Sequence, residues 1–363
     1  MPILVLNAGS STLKATLLEP GADEPIGEAT VEWPAGDEGA SDVVRSSLDL
    51  IPDQVDAVGY RVVHGGSHYT APSLVDESLL EVVDALDALA PLHNRRAAAV
   101  MRAGLEHFPG LPHVACFDTA FHAGLPEEAW RYPIPADWVE RDGIRRYGFH
   151  GLSVAWAVRR AAELLDRAVA DLRLVVAHLG SGASVTAVDG GRSVATSMGF
   201  TPYEGLMMGT RSGSIDPGIL LRLADEGFSA DALADGLAHR SGLLAIGGTS
   251  DVRELERRAD AGDSDALLAL AMFARHAAAG IAAASVALPR VDALVFTGGI
   301  GEHSATVRGD IIRRLAVLGV AGNLADASGD AVVATGVGPS VVVVRAREDR
   351  VIADAVGALL GRS

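Results

Sequence analysis

The sequence predicts an α/β protein made of two duplicated lobes, and three observations predict it. At 363 residues the chain exceeds one typical domain. A strand, a tight turn rich in Gly and Ser, and a second strand stand near the N-terminus and return in the same form in mid-chain. Helical and strand periodicities alternate after each of these hairpins.

The elements follow in order. Ile3-Leu4-Val5-Leu6 is a short all-apolar run ended by Asn7-Ala8-Gly9-Ser10-Ser11. After it Leu13, Ala15 and Leu17 alternate with Thr12, Lys14 and Thr16, which reads as strand, turn, strand. Helical spacing covers residues 79–108, a strand-like run covers 113–117, and helical spacing resumes at 154–165. The hairpin design then repeats. Leu174-Val175-Val176-Ala177 leads into His178-Leu179-Gly180-Ser181-Gly182-Ala183-Ser184 and out through Val185-Thr186-Ala187-Val188. A helix is expected over 267–288 and a strand over 293–297. No low-complexity linker intervenes, so the boundary is placed at Tyr147-Gly148, ahead of the helix that precedes the second hairpin.

Composition excludes several function classes. With 30 basic and 47 acidic residues the formal charge is -17, the opposite of the basic footprint of a nucleic-acid-binding surface. A site for a small anion needs only a few local arginines. One cysteine, Cys116, rules out an internal disulfide, and four apolar residues before polar Asn7 make no targeting segment, so a cytoplasmic protein is expected. The alanine-rich stretch 277–288 is broken by Gly280 and Ser285 and bounded by His276 and Pro289, short of a membrane span, and reads as a buried helix.

Glycine and serine at a strand-to-strand turn let backbone N–H groups approach an oxyanion, and hydroxyls add donors. One such loop, residues 7–11, is what any tight hairpin uses. Its duplicate at 180–184 and a third cluster, Thr297-Gly298-Gly299-Ile300-Gly301-Glu302, turn the reading toward phosphate and adenosine elements. Two arginines sit in glycine-flanked loops, Arg61 in YRVVHGG and Arg211 in MGTRSG, and together suggest an anion clamp. Singly, each would be a surface ion pair. Asp118 ends the strand-like run 113–117, where sheet ligands collect, and local sequence leaves it as a magnesium ligand or a helix cap. His64, His93, His122, His150 and His178 fall in these motifs at spacings that match no zinc signature.

Two α/β lobes that each open with such a hairpin resemble the actin, hexokinase and heat-shock ATPase superfamily. There the two turns face a nucleotide cleft. The stretches LVLNAGSSTLK (4–14), RVVHGG (61–66), APLHN (90–94), FDTAFH (117–122), RYGFHG (146–151), AHLGSGASV (177–185), TSMGFTPYEGLMMGTRSGSIDP (196–217) and FTGGIGE (296–302) are similar, in order, to the motifs of the acetate kinase family.

That resemblance implies two duplicated actin-like, ribonuclease H-like lobes, the first 1–147 with a returning C-terminal helix, 350–363, and the second 148–349. It implies Mg2+-dependent phosphoryl transfer, with Mn2+ as an alternative metal, between ATP/ADP and acetate/acetyl phosphate in a homodimer that uses no nucleic acid and no membrane. Position by position, it gives Arg61 and Arg211 the carboxylate and the transferring phosphoryl group, and His150 the stabilisation of that group. Asn7, Asp118 and Glu348 match the metal-site positions, and Asp118 counts among the catalytic ones. Lys14, His178, Gly180, Ser181 and Gly182 match the nucleotide-phosphate side, and Asp251, Val252, Arg253, Gly299, Ile300 and Gly301 the adenosine side. Val63, Leu92, Phe149 and Pro202 match the apolar pocket for the substrate's methyl group, and His93 is structural.

The chain departs from the family pattern at several positions. Ser181 stands where Asn is usual, Ala195 replaces the Asp of DTSMGF, and Arg95 replaces the proline after APLHN. The loop around Leu244 to Arg253 is one residue shorter, and Ala346-Arg347-Glu348-Asp349 replaces TNEE. These changes lie on the nucleotide side and leave a pyrophosphate-using enzyme as an alternative. A propionate or butyrate kinase is the nearest other reading, and a non-catalytic nucleotide-binding relative the remote one.

Overall fold

The computed structural model describes residues 1–361 except 10–11, 34–38, 52–53, 91–92, 321–328 and 335–337. Internal contacts divide it into two units. The first comprises Met1–Ala123, Phe149–Trp156 and Arg347–Ser363, and the second Gly124–Gly148 and Ala157–Ala346. Residues 124–147, expected with the first lobe, pack with the second unit, while 149–156 and 347–349, expected with the second lobe, join the first. The Tyr147 and Gly148 N–H groups both donate to Gly199 O, and Glu127–Trp130 packs on a strand of the second sheet.

The first unit's strands are β1 (Ile3–Ala8), β2 (Thr12–Leu18), β3 (Gly27–Glu32), β4 (Ala57–Val62), β5 (Ser73–Leu74) and β6 (His113–Phe117), in the order β3-β2-β1-β4-β6-β5. β1 pairs antiparallel with β2 and parallel with β4, which pairs parallel with β6. Leu4 and Leu6 join a core with helices Ala40–Leu48 and Asn94–His107, while Ile3 and Val5 face the C-terminal helix Glu348–Leu359. A central strand covered on both faces must be apolar at every position, which is why Ile3 to Leu6 reads as an unbroken run.

The second unit repeats the plan with β7 (Arg173–Leu179), β8 (Ala183–Asp189), β9 (Arg192–Thr196), β10 (Ala293–Thr297), β11 (Ala331–Ala334) and β12 (Ser340–Val343). Their order, β11-β12-β10-β7-β8-β9, is the first sheet's order with each strand replaced by its counterpart. The opening hairpins differ in register, with Ala8 paired to Leu13 and Asn7 to Lys14 in the first, and Leu179 to Ala183 and His178 to Ser184 in the second, but Asn7 and His178 are each the penultimate residue of their strand. The duplicated lobes expected from the sequence are thus present.

Two expectations are refined. The helical stretch 79–108 is two helices, Glu77–Ala85 and Asn94–His107, with a 3-10 turn Leu86–Leu89 between them. Pro91 in the interval cannot supply a helical N–H. The alanine-rich helix runs Ser264–Ser285, 22 residues, long and apolar enough to cross a membrane by length and composition. Its buried residues, Ala266, Ala269, Phe273, Ala277, Ile281 and Ala284, recur every three or four positions and pack on β7 and β8. It is therefore a sheet-covering helix buried on one face, not all round.

Gly104 shows how tightly the first core is built. Tyr60 Oη and His113 Nδ1 are 2.6 Å apart in the core, and a Cβ added at Gly104 would lie 2.0 Å from that hydroxyl. Gly104→Ala gains about 1 kcal/mol of helix propensity. Overpacking costs about 1 to 3 kcal/mol and forces the tyrosine off its partner. We expect net destabilisation by about 1 to 2 kcal/mol in urea unfolding, whereas an unchanged or raised midpoint would show that the core yields.

Candidate active site

The residues predicted for the metal and carboxylate side meet in the first unit. Arg61, one residue before the end of β4, donates from Nη2 to Asp118 Oδ2 at 2.6 Å and from Nε to Asp118 Oδ1 at 3.2 Å. Its Nη1 donates to Asn7 Oδ1 at 3.3 Å, and its Nε lies 3.4 Å from Glu348 Oε2. Asn7 Nδ2 closes the ring by donating to Glu348 Oε2 at 3.0 Å. Asn7 lies near the end of β1, Arg61 near that of β4, Asp118 just after β6, and Glu348 opens the C-terminal helix. Parallel strands deliver their carboxyl ends to one edge, so residues distant in sequence converge there.

Asp118 is not the helix cap that local sequence also allowed. Its side chain is 1 % exposed. Its carboxyl is pushed up to about 6, chiefly by burial and further by Glu348, against the lowering pull of Arg61 and of the His150 N–H donated to it. Burial likewise opposes the charge of Arg61, but Asp118 and Glu348 outweigh it and raise the guanidinium further.

His150 has φ 59, a left-handed conformation rare for a residue with a side chain. Asp118 holds it there, since its carboxylate takes the His150 N–H and its carbonyl takes the Gly151 N–H at 3.0 Å. Position 151 must be glycine, because a Cβ would sit 2.0 Å from Asp118 O. From this point the helix Gly151–Leu164 runs on, with Val154 N–H donating to His150 O.

Of the apolar set, Val63 and Phe149 are buried in the first unit, where the ring of His64 meets Phe149 edge-on at 5.4 Å. Pro202 is buried in the second unit, and Leu92 lies outside the described residues, as do Ser10 and Ser11 of the first turn. Lys14 is half-exposed and pairs with Glu28 at 3.2 Å. His93 precedes helix Asn94–His107 and accepts at its carbonyl from Ala97 N–H.

The second unit gathers the predicted phosphate elements. Gly180 N–H donates to Gly182 O at 2.9 Å, and a Cβ at Gly180 would lie 3.7 Å from His178 Nε2 and 3.8 Å from Gly299 N. Gly209 N–H donates to Ser181 O at 3.1 Å, which brings the Arg211 loop beside the same turn. Gly298, with φ +77, faces the Leu179 carbonyl at a distance only a glycine tolerates, and helix Gly298–His303 starts there. Arg211 donates from Nη1 to Pro202 O at 3.2 Å, and burial pulls its guanidinium down. Asp251 caps helix Val252–Asp260 and pairs with Arg253 at 2.9 Å on an exposed surface, while Val252 is buried.

Sequence reasoning missed several supporting residues. His122 Nε2 lies 3.0 Å from Phe149 O, next to His150, and Asn94 bridges His64 through two hydrogen bonds. Both belong to motifs already singled out, but nothing local shows which carbonyl each meets. Arg308, buried, donates to Gly301 O and Glu302 O, and no sequence signal marks it.

Among the described residues, no three His, Cys, Asp or Glu side chains form a metal cluster. The two carboxylates and one carboxamide around Arg61 are hard oxygen donors. Mg2+ usually takes only one or two carboxylates with water and phosphate oxygens, so this donor set fits it.

A sequence profile described as the acetokinase family matches residues 39–354. The chain belongs to the acetokinase family. It is 46% identical to the acetate kinase of Deinococcus radiodurans over 99% of this chain and 98% of that one. It is 42% identical to the acetate kinase of Pseudarthrobacter chlorophenolicus over 99% of each. Among solved structures, a propionate kinase from Francisella tularensis matches with TM-score 0.86 at 36% identity over 98% of each chain. Porphyromonas gingivalis acetate kinase matches with TM-score 0.85 at 31% identity over 99% of each. A ROK family glucokinase from Streptomyces griseus, at 14% identity and TM-score 0.51, shares the fold alone.

The His122 contact makes a pH prediction. Burial lowers its imidazole to about 4, so the folded state excludes a proton that the unfolded chain binds at the ordinary 6.5. The stability this contributes is complete above 6.5 and is lost as pH falls toward 4. By pH 5 the loss from His122 is about 2 kcal/mol, and the acid loss in urea unfolding between pH 7 and pH 5 should be smaller in His122→Gln than in the wild type, the remainder coming from groups such as His113 and His276 whose imidazoles burial also lowers. Equal acid sensitivity of the two would place the titrating group elsewhere.

Proposed function

We propose that the protein is an acetate kinase, transferring the γ-phosphoryl group of ATP reversibly to acetate to give acetyl phosphate and ADP. The observation that carries the reading is the Arg61, Asp118, Asn7 and Glu348 cluster. It occurs in a chain of the acetokinase family that is 46% identical to a relative named acetate kinase.

Acetate is already ionised near neutral pH, so its oxygen attacks the γ-phosphorus without a general base. The new O–P bond forms as the β,γ-bridging O–P bond breaks, and its electron pair leaves on ADP. The residues' task is then to hold two anions in line and neutralise charge on a loose, metaphosphate-like transition state. Arg61 and Arg211 bind the carboxylate and the phosphoryl group, and His150 stabilises that group. Arg61 is fixed beforehand by Asp118 and Asn7, which lowers the cost of ordering it at the reaction step. Val63, Leu92, Phe149 and Pro202 exclude water around the methyl group. His178 and residues 180–182, with Lys14, serve the nucleotide phosphates, and Asp251, Val252, Arg253 and Gly299, Ile300 and Gly301 serve adenosine.

Asp118 and Glu348 would hold Mg2+, or Mn2+ in its place, with Asn7 at its water shell, and the bound ion supplies positive charge to the phosphate oxygens. Propionate is the second acid to consider, because a propionate kinase is among the matching structures and one methylene is worth only about 1 to 3 kcal/mol of discrimination. A cytoplasmic setting agrees with the single buried thiol, Cys116. A homodimer agrees with helix Pro217–Asp225 in the second unit. It has no buried residue and exposes Ile219 and Leu221, flanked by exposed Ile215 and Phe228.

Acyl phosphate formation with ATP and Mg2+ tests the reading, with acetate, propionate and butyrate compared and pyrophosphate as a parallel donor. Acetate with ATP should give the highest kcat/KM, chelation should abolish it, and Arg211→Ala should lower it at least about a hundredfold. No turnover with any pair would leave a binding protein in its place. For the assembly, sedimentation should give a dimer that Leu221→Asp shifts toward monomer. A monomeric wild type would contradict it.

A further inference from the structure

We infer that Arg146, Glu204 and Tyr132 are positioning residues of the reaction, clamping the segment that carries Pro202 so that its carbonyl can fix the guanidinium of Arg211. The inference rests on the role proposed above for Arg211.

All three side chains lie in the second unit and converge on one short stretch. Arg146 donates from Nη2 to Glu204 Oε1 at 2.8 Å and from Nη1 to Ser197 O at 3.1 Å. Tyr132 donates its hydroxyl to Glu204 Oε2 and accepts Phe200 N–H at 3.0 Å, and the Arg146 guanidinium lies over its ring at 5.2 Å. Each oxygen of Glu204 is thus taken by a different partner. The segment 197–204 is held at Ser197, Phe200 and Glu204, on either side of the peptide that ends at Pro202.

The surrounding backbone leaves this stretch little freedom. Gly199 O accepts from Tyr147 N–H, and a Cβ at Gly199 would lie 1.7 Å from Glu204 Oε2 and 2.0 Å from Tyr132 Oη. Gly205 at φ +106 would bring a Cβ 2.7 Å from Ser197 O, and its N–H and carbonyl are both tied to Ser214. The loop is closed at its far end as well, by Met208 N–H donating to Arg211 O. Arg211 then meets two acceptors of this loop, Pro202 O and Met208 Sδ. The direction of a guanidinium held by a backbone carbonyl is only as firm as that carbonyl. The clamp supplies that firmness.

The test uses Tyr132→Phe and Glu204→Gln in the full-length protein, each also placed in an Arg211→Lys background, with folding checked by circular dichroism at the assay temperature. For each single variant kcat should fall about tenfold to a hundredfold, the scale of a small misplacement, with KM for ATP within about twofold. In the Arg211→Lys background the further loss should shrink to under about threefold, because the group being positioned is gone. Wild-type kcat in both variants, or an equal loss in both backgrounds, overturns the clamp while leaving the kinase reading intact. An inactive wild type overturns both.

Discussion

A buried carboxylate that must stay charged is the constraint on which the first unit depends. Asp118 is almost without solvent contact, and an isolated carboxylate in that setting would take up a proton. Arg61 supplies two hydrogen bonds and an opposite charge, and the His150 N–H supplies a further donor. Arg61 in turn has to be held, and Asn7 and Glu348 hold it from the first strand and the last helix. Because each member satisfies another, the ends of β1 and β4, the residue after β6 and the start of the C-terminal helix have to meet at the same place. The left-handed backbone of His150 and the glycine after it follow from the same residue, whose carboxylate takes the His150 N–H and whose backbone carbonyl fills the space a Cβ at 151 would need. The strain is local and sits where the reaction is proposed.

The second unit solves a different problem with the same sheet. Its strand order repeats that of the first, yet the penultimate residue of the opening strand is Asn7 in one and His178 in the other. Where the first unit surrounds a buried ion cluster, the second surrounds backbone. Gly180, Gly182, Gly209, Gly298 and Gly299 leave N–H groups and carbonyls at close approach, and Arg308 neutralises the carbonyls at the end of the short glycine helix. The duplicated topology therefore carries an ion cluster in one copy and glycine-rich backbone in the other by changing residues at strand ends, not the sheet.

The loops between these points are rigid for reasons that involve no regular secondary structure. Residues 197–214 form no helix or strand, but paired hydrogen bonds, an ion pair and glycines with no room for a Cβ define their path.

The sequence by itself determined the fold class, the duplication, the order of the strands along the chain and the identity of the residues around Arg61. The α/β class and the repeated hairpin rest on periodicity, and the residues around Arg61 on the resemblance of their motifs to the acetate kinase family, and both signals are local. It could not say that Asp118 is a buried charge and not a cap, since a cap and a strand-end acid look alike until the neighbours are known. Nor did it separate the helices at 86–93, assign residues 124–147 to the second unit, or give Arg146, Tyr132, Glu204, His122 and Arg308 their partners. Each of those depends on which carbonyl or carboxylate arrives from far along the chain. Only the folded structure decides this, because a hydrogen-bond partner is fixed by proximity in space, and local residue patterns carry no record of it.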